Sequence, residues 1–160
     1  MTFEDFRADV MRDFTVAALS REISLIGRKE VLTGKAKFGI FGDGKEVAQI
    51  AMARVFREGD FRSGYYRDQT FMFASGMATP EQFFAQLYAI PDIEKDPFSG
   101  GRQMNAHFAT RSLDAQGNWK DLTTMKNSSS DTSPTASQMA RAVGLGLASK
   151  LYRANPGDHT

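Results

Sequence analysis

The sequence predicts an α/β protein that is rich in helices and lacks most of its parallel sheet. Two observations carry this. Apolar residues recur at helical spacing in several separate segments, and few β-branched alternating runs are present that could supply strands. With 160 residues, 41% of them hydrophobic and 24% charged, the composition is that of an ordinary globular domain. Residues 1–160 therefore read as one incomplete domain, with neither an internal repeat nor a domain boundary.

Phe3, Phe6, Val10, Phe14 and Ala17 follow Thr2 at helical spacing, with Glu4 and Asp5 in the first turn where the helix dipole favours anions. This predicts a long amphipathic helix, or two in succession, running to about Leu32 and stopped by Gly34. Phe38 to Phe41 form a short apolar turn or strand before Gly42-Asp43-Gly44. Val47, Ile50, Ala51 and Val55 mark a second helix that Gly59-Asp60 ends, and the aromatic, arginine-rich segment from Phe61 to Phe73 reads as a strand or extended turn. Thr79-Pro80-Glu81 is a strong helix start, because Thr caps orphan amides and Pro fits the first helical position. From Pro91 to Ser133, Gly, Ser, Asn and Asp interrupt any periodicity, as in a long loop ordered by what it binds. Ser133-Pro134 opens a last helix to about Arg153, with Ala142, Val143, Leu145, Gly146 and Ala148 as a close-packing face, and Pro156-Gly157-Asp158 forms a turn.

Composition excludes several functions. Lys and Arg total 20 against 19 Asp and Glu, for a net charge of +1 without runs of like charge, which argues against general capture of nucleic acid or an anionic membrane. The absence of Cys removes disulfides, thiolate nucleophiles and cysteine metal sites, and suits a reducing compartment. The acidic residues near Met1 do not resemble a signal peptide and no apolar run reaches membrane-spanning length, so a cytoplasmic protein is expected.

Several motifs carry chemistry. Gly39 to Lys45 matches phosphate-loop spacing, but Glu46 stands where a magnesium-binding hydroxyl belongs; a nucleotide-binding module there is an alternative to a plain helix-start turn. Phe61 to Arg67 interleaves aromatics with Arg, as a nucleic-acid patch would. Tyr66-Arg67 suits a diphosphate, since Arg forks onto oxygens and Tyr donates a hydrogen bond, although a surface patch of Tyr and Arg has the same composition. His107 and His159 are too far apart in sequence for a recognisable metal or triad pattern. The Asn127 to Gln138 run reads either as a flexible linker or as hydroxyls and amides gathered at a helix start to hold a polar ligand or a monovalent cation.

Taken in order, Tyr66-Arg67, then Gly101-Arg102-Gln103-Met104-x-x-His107, then Ser133-Pro134-x-Ala136-Ser137-Gln138 with the helix through Ala142-Val143-Gly144, closely resemble the α subunit of thiamine-diphosphate-dependent 2-oxo acid dehydrogenases of the branched-chain (2-oxoisovalerate) type. Gly44-Lys45-Glu46 is similar to that family's Gly-x-Glu segment, and the resemblance runs from about Met11 to Asn155. It implies a decarboxylating first component of a multienzyme complex, with pyruvate or acetoin dehydrogenase α subunits as alternatives. The implied partners are a β-type subunit or domain and a lipoyl acyltransferase component, the substrate a small 2-oxo acid, and the cofactors thiamine diphosphate, magnesium and potassium.

Carried over by motif position, Tyr66 and Arg67 would contact the cofactor diphosphate, and Ser133 and Thr135 would offer backbone groups to its aminopyrimidine ring. Thr132, Pro134, Ser137 and Gln138 would shape a potassium-stabilised loop, and His107 would lie near the diphosphate and the substrate channel. Thr135 replaces an apolar residue typical of the family, and Asp68 replaces Glu. Gly42-Asp43-Gly44 imitates the family's magnesium motif but lacks its Asn at the proper spacing; the true motif is expected beyond residue 160. The chain thus reads as an N-terminal portion of an α unit or of a fused α–β chain, inactive by itself.

Overall fold

In the computed structural model, which describes residues 2–154, the first helix starts as its sequence dictates. Thr2 Oγ1 accepts from Asp5 N at 3.1 Å while Asp5 Oδ2 accepts from Thr2 N at 2.8 Å, a reciprocal cap that opens α1, Phe3–Leu32. The elements that follow are α2 (Glu46–Val55), β1 (Phe61–Tyr65), α3 (Gln69–Ala74), α4 (Pro80–Leu87), a 3-10 turn at Leu122–Thr124, β2 (Asn127–Thr132) and α5 (Ser137–Ala154). The fold is mixed α/β, helix-rich, with a two-stranded parallel sheet.

The core gathers Ile23, Phe41, Ala53, Phe71, Met72, Phe83, Leu87 and Phe108 between α1 to α4 and the chain before β2. Phe56 and Phe98 meet Phe71 and Phe108 edge-on, at ring-centroid distances of 5.1 and 5.0 Å. Helix α1 meets this core through its second half. Its buried residues are Ser20, Ile23, Ser24 and Gly27, and Gln69 Nε2 reaches both serines, at 3.2 and 3.0 Å. At 30 residues it is about 45 Å long, more than the body behind it can cover. Phe3, Phe6, Val10 and Phe14, which periodicity assigns to one inward face, are therefore exposed. The face expected on α5 behaves likewise: Ala142, Val143, Gly146 and Ala148 are exposed and Leu145 is half-buried.

Two segments differ in kind from their sequence reading. Phe61 to Phe73 divides into β1 and α3, because Asp68 accepts from Tyr65 N at 2.9 Å and turns the chain into a helix. The Ser-rich run is not a linker but β2, paired in register Phe61↔Asn127, Arg62↔Ser128, Ser63↔Ser129 and Tyr65↔Thr132 with a bulge between Ser63 and Tyr65. Its other edge is satisfied as well, by Thr110 N donating to Ser128 O at 2.8 Å and Asp131 N donating to Phe108 O at 2.9 Å. Helix α5 begins at Ser137, later than Ser133-Pro134, because Ala136 adopts a left-handed φ of 69°. Pro156-Gly157-Asp158 and His159 lie outside the described residues. Among the described residues, no helix is long and apolar enough to cross a membrane.

Between the strands lies a buried ion pair. Arg62 on β1 donates through Nη2 to Asp131 Oδ2 on β2 at 3.0 Å, its Nη1 lies 3.0 Å from Oδ1, and it also donates to Asp68 Oδ2 and Ser128 Oγ at 2.9 and 2.7 Å. Removing one partner of such a pair strands the other charge away from water. Arg62→Ala should therefore lower unfolding free energy by about 3–5 kcal/mol in urea denaturation at neutral pH. A loss as small as that of an exposed salt bridge would refute the anchoring role.

Candidate functional site

The carboxyl ends of two parallel strands are where an open α/β sheet ordinarily presents its ligand site. Here β1 ends at Tyr65, delivering Tyr66 and Arg67, and β2 ends at Thr132, delivering Ser133. His107 arrives from the segment that hydrogen-bonds β2 along its far edge. Residues far apart in sequence thus meet at one end of the sheet.

The contacts there are close. His107 Nε2 lies 2.6 Å from Ser133 Oγ, and Nδ1 lies 3.2 Å from Asn105 O. The Tyr66 ring stacks on the imidazole at 6.2 Å and 22°. Tyr65 donates its hydroxyl hydrogen to Tyr66 Oη at 2.6 Å, and Thr135 Oγ1 is 3.4 Å from the same hydroxyl. The hydrogen bond with Thr135 holds the Tyr65 hydroxyl below its ordinary pKa.

Arg67 is exposed and lies over Tyr66, 5.4 Å from the ring centre, with Nη1 donating to Phe41 O at 3.0 Å. Its backbone is gripped too. Gln49 Nε2 donates to Arg67 O at 2.9 Å, and a Cβ on Gly42 would lie 2.4 Å from the same oxygen, so only glycine allows that approach.

Sequence reasoning missed the residues that hold His107 in place. On α4, Gln86 Nε2 donates to His107 O at 2.8 Å, and its Oε1 accepts from His107 N at 3.3 Å. Asn105 makes a matching pair of bonds with the backbone of Ile40, at 2.9 and 2.6 Å. The one available signal for Gln86 was a polar residue on the apolar face shared by Phe83 and Leu87. Between these anchors Ala106 sits at a φ of 58°, a strained value for a residue with a Cβ.

Thr132, Pro134, Ser137 and Gln138 occupy the turn from β2 into α5. Ser137 Oγ donates to Pro134 O at 2.8 Å and shares a hydrogen bond with Thr132 Oγ1. Gln138 O accepts from Ser63 Oγ at 2.7 Å, while its buried Oε1 has no hydrogen-bond partner.

The rival motifs are spent on structure. In the Gly39 to Lys45 loop, the amide of Gly44 faces both oxygens of Glu46, at 3.1 and 3.0 Å, and Arg21 clamps the same carboxylate at 2.8 and 3.0 Å. The donor a phosphate would need is thus taken by the protein's own anion. Asp43 pairs with Arg28 at 2.7 Å, and the described residues contain no group of three or more His, Cys, Asp or Glu able to hold a metal ion. In the Phe61 to Arg67 patch, Arg62 is buried and Tyr65 stacks against Tyr66, leaving Arg67 as its exposed cation.

No family model matches the chain. The 2-oxoisovalerate dehydrogenase subunit alpha of Bacillus subtilis (strain 168) is 32% identical to it over 123 residues, covering 76% of this chain and 32% of that relative. The chain thus spans about a third of the length of the curated relative it matches.

The Glu46 clamp has a pH signature. Hydrogen bonds from Arg21, aided by the backbone amides of Glu46 and Gly44, hold its carboxyl down at about 2 from an ordinary 4.5, against the burial that raises it. A depressed carboxyl contributes stability above its unfolded pKa and loses it as pH falls toward the folded one. Glu46→Gln should destabilise the chain by about 1–2 kcal/mol at neutral pH, allowing for the half-exposed Arg21. Denaturation at a series of pH values should show the gap narrowing below 4.5 and closing near 2. A gap independent of pH would mean that the charge is not what matters.

Proposed function

Because the match makes this chain a relative of 2-oxo acid dehydrogenase α subunits over three quarters of its length, we propose that it supplies the diphosphate-holding side of a thiamine-diphosphate site in a branched-chain 2-oxo acid dehydrogenase. The observation that carries this reading is the convergence of Tyr66, Arg67, His107 and Ser133 at the carboxyl ends of β1 and β2. On this reading the chain is an N-terminal part of an α-type unit. The whole enzyme would oxidatively decarboxylate the 2-oxo acid and pass the acyl group to a lipoyl carrier, with a β-type partner completing the site.

The residues present fit such a cofactor. Arg67 is exposed and spends one Nη on Phe41 O, leaving donors to fork onto phosphate oxygens, with the Tyr66 hydroxyl beside it. Ser133 and Thr135 border the same space, Thr135 engaging Tyr65 where an apolar prop is usual in the family. The buried, unpartnered Gln138 Oε1, with the oxygens of Thr132, Pro134 and Ser137 on one turn, suits a monovalent cation such as potassium. Magnesium would be held by residues of the enzyme outside this chain.

When bound, thiamine diphosphate supplies the electron sink for decarboxylation. The chain's own groups bind and orient. Arg67 and Tyr66 would fix the diphosphate, and the buried His107 would wall the site and keep its geometry rigid. The branched-chain assignment follows the substrate in the relative's name, 2-oxoisovalerate.

The test is cofactor binding. In the assembled α–β enzyme, Arg67→Ala should weaken thiamine diphosphate by about 1.5–3 kcal/mol, roughly ten- to a hundredfold, with Arg67→Lys in between. Saturating cofactor should restore much of the turnover. By titration calorimetry the 160-residue chain alone should bind the cofactor weakly, even with magnesium present. An unchanged dissociation constant in a folded Arg67→Ala enzyme would overturn the reading.

A further inference from the structure

At His107 the surroundings decide where the imidazole proton sits. Nδ1 faces the carbonyl of Asn105 at 3.2 Å, and a carbonyl oxygen can only accept, so Nδ1 carries the hydrogen. In the neutral ring Nε2 is then a bare lone pair, and Ser133 Oγ, 2.6 Å away, must donate to it. Turning the ring over would put carbon atoms at both positions and lose both bonds. The ring is also confined: His107 is 5% exposed, one face lies against Tyr66, and Gln86 and the Asn105–Ile40 pair hold its backbone.

We propose that Ser133 is a positioning residue locked to His107, its hydroxyl hydrogen committed to Nε2 so that the open side of Oγ is purely an acceptor. This gives the site a polarity. Its Arg67 end receives an anion, while its Ser133 end receives a hydrogen-bond donor such as an amino or hydroxyl group. A phosphate or carboxylate oxygen beside Ser133 would meet lone pair with lone pair. Only the identity of the ligand rests on the preceding reading; the proton's position depends on this chain alone.

The experiment is nitrogen-15 NMR of the imidazole in the chain, at about pH 8, above the ordinary histidine range, with His159→Gln used to assign the two histidines. The expected result is a protonated Nδ1 and an unprotonated Nε2 displaced by an incoming hydrogen bond. Ser133→Ala should move the Nε2 resonance toward that of an unbonded nitrogen, and Ser133→Thr should return it. A protonated Nε2, or rapid averaging of the two tautomers, would overturn the proposal, as would an Nε2 signal indifferent to Ser133→Ala. If Ser133→Ala fails to fold, the wild-type tautomer remains decisive. No cofactor is added, so this can fail while the cofactor reading survives, and the reverse.

Discussion

Arg62 and Asp131 set the register on which the functional end of the molecule depends. The guanidinium joins β1 to β2 and reaches Asp68 in the turn that follows β1, so one side chain aligns both strands and the exit of the first. It lies over Phe71, 5.6 Å from the ring centre. Gly64 has no side chain to interfere, since a Cβ there would lie 1.9 Å from the guanidinium carbon. Burial pushes the Asp131 carboxyl up to about 6 in spite of Arg62, so desolvation outweighs the attraction. The pair is better understood as a device for geometry than as a source of stability.

From that register the site follows. With the strands parallel and aligned, Tyr66, Arg67 and Ser133 leave the sheet at the same end, and Asp131, by accepting from Phe108 N at 3.1 Å, also sets the height at which His107 arrives. Neutral amides then do the fine positioning, Gln86 on His107 and Gln49 on Arg67. Left-handed backbone at Ala106 and Ala136 brackets the same region. Strain of this kind persists where surrounding bonds over-determine the backbone, and at Ala106 the Asn105 and Gln86 bonds provide them.

The segment from Pro91 to Ser133 shows how a chain without periodicity is ordered. Asp96 accepts from the amides of Phe98, Ser99 and Gly101 and from the Ser99 hydroxyl, closing its turn on itself. Asp114 does the same with Gln116 and Asn118, whose amide bonds lower its pKa, and Asp121 caps the short turn that precedes β2. Each carboxylate replaces the ladder bonds that a helix or strand would have supplied.

The sequence by itself determined what depends on neighbours along the chain. The caps at Thr2 and Thr79, the extents of α1, α2 and α4, and the order of the three motif segments were legible because caps, periodicity and motifs are local. The sheet was not. Asn127 to Thr132 has the composition of a linker and becomes a strand because β1 on one side and Phe108 to Thr110 on the other satisfy its backbone. Nor could periodicity say what covers a face: Phe3 to Phe14 and Val143 carry apolar spacing and stand exposed. Tertiary structure alone decided which polar residues meet, bringing Gln86 to His107 and Arg62 to Asp131 across intervals of 21 and 69 residues. The physical reason is that a buried polar group takes its partner from whatever the fold places beside it, and sequence separation carries no trace of that choice.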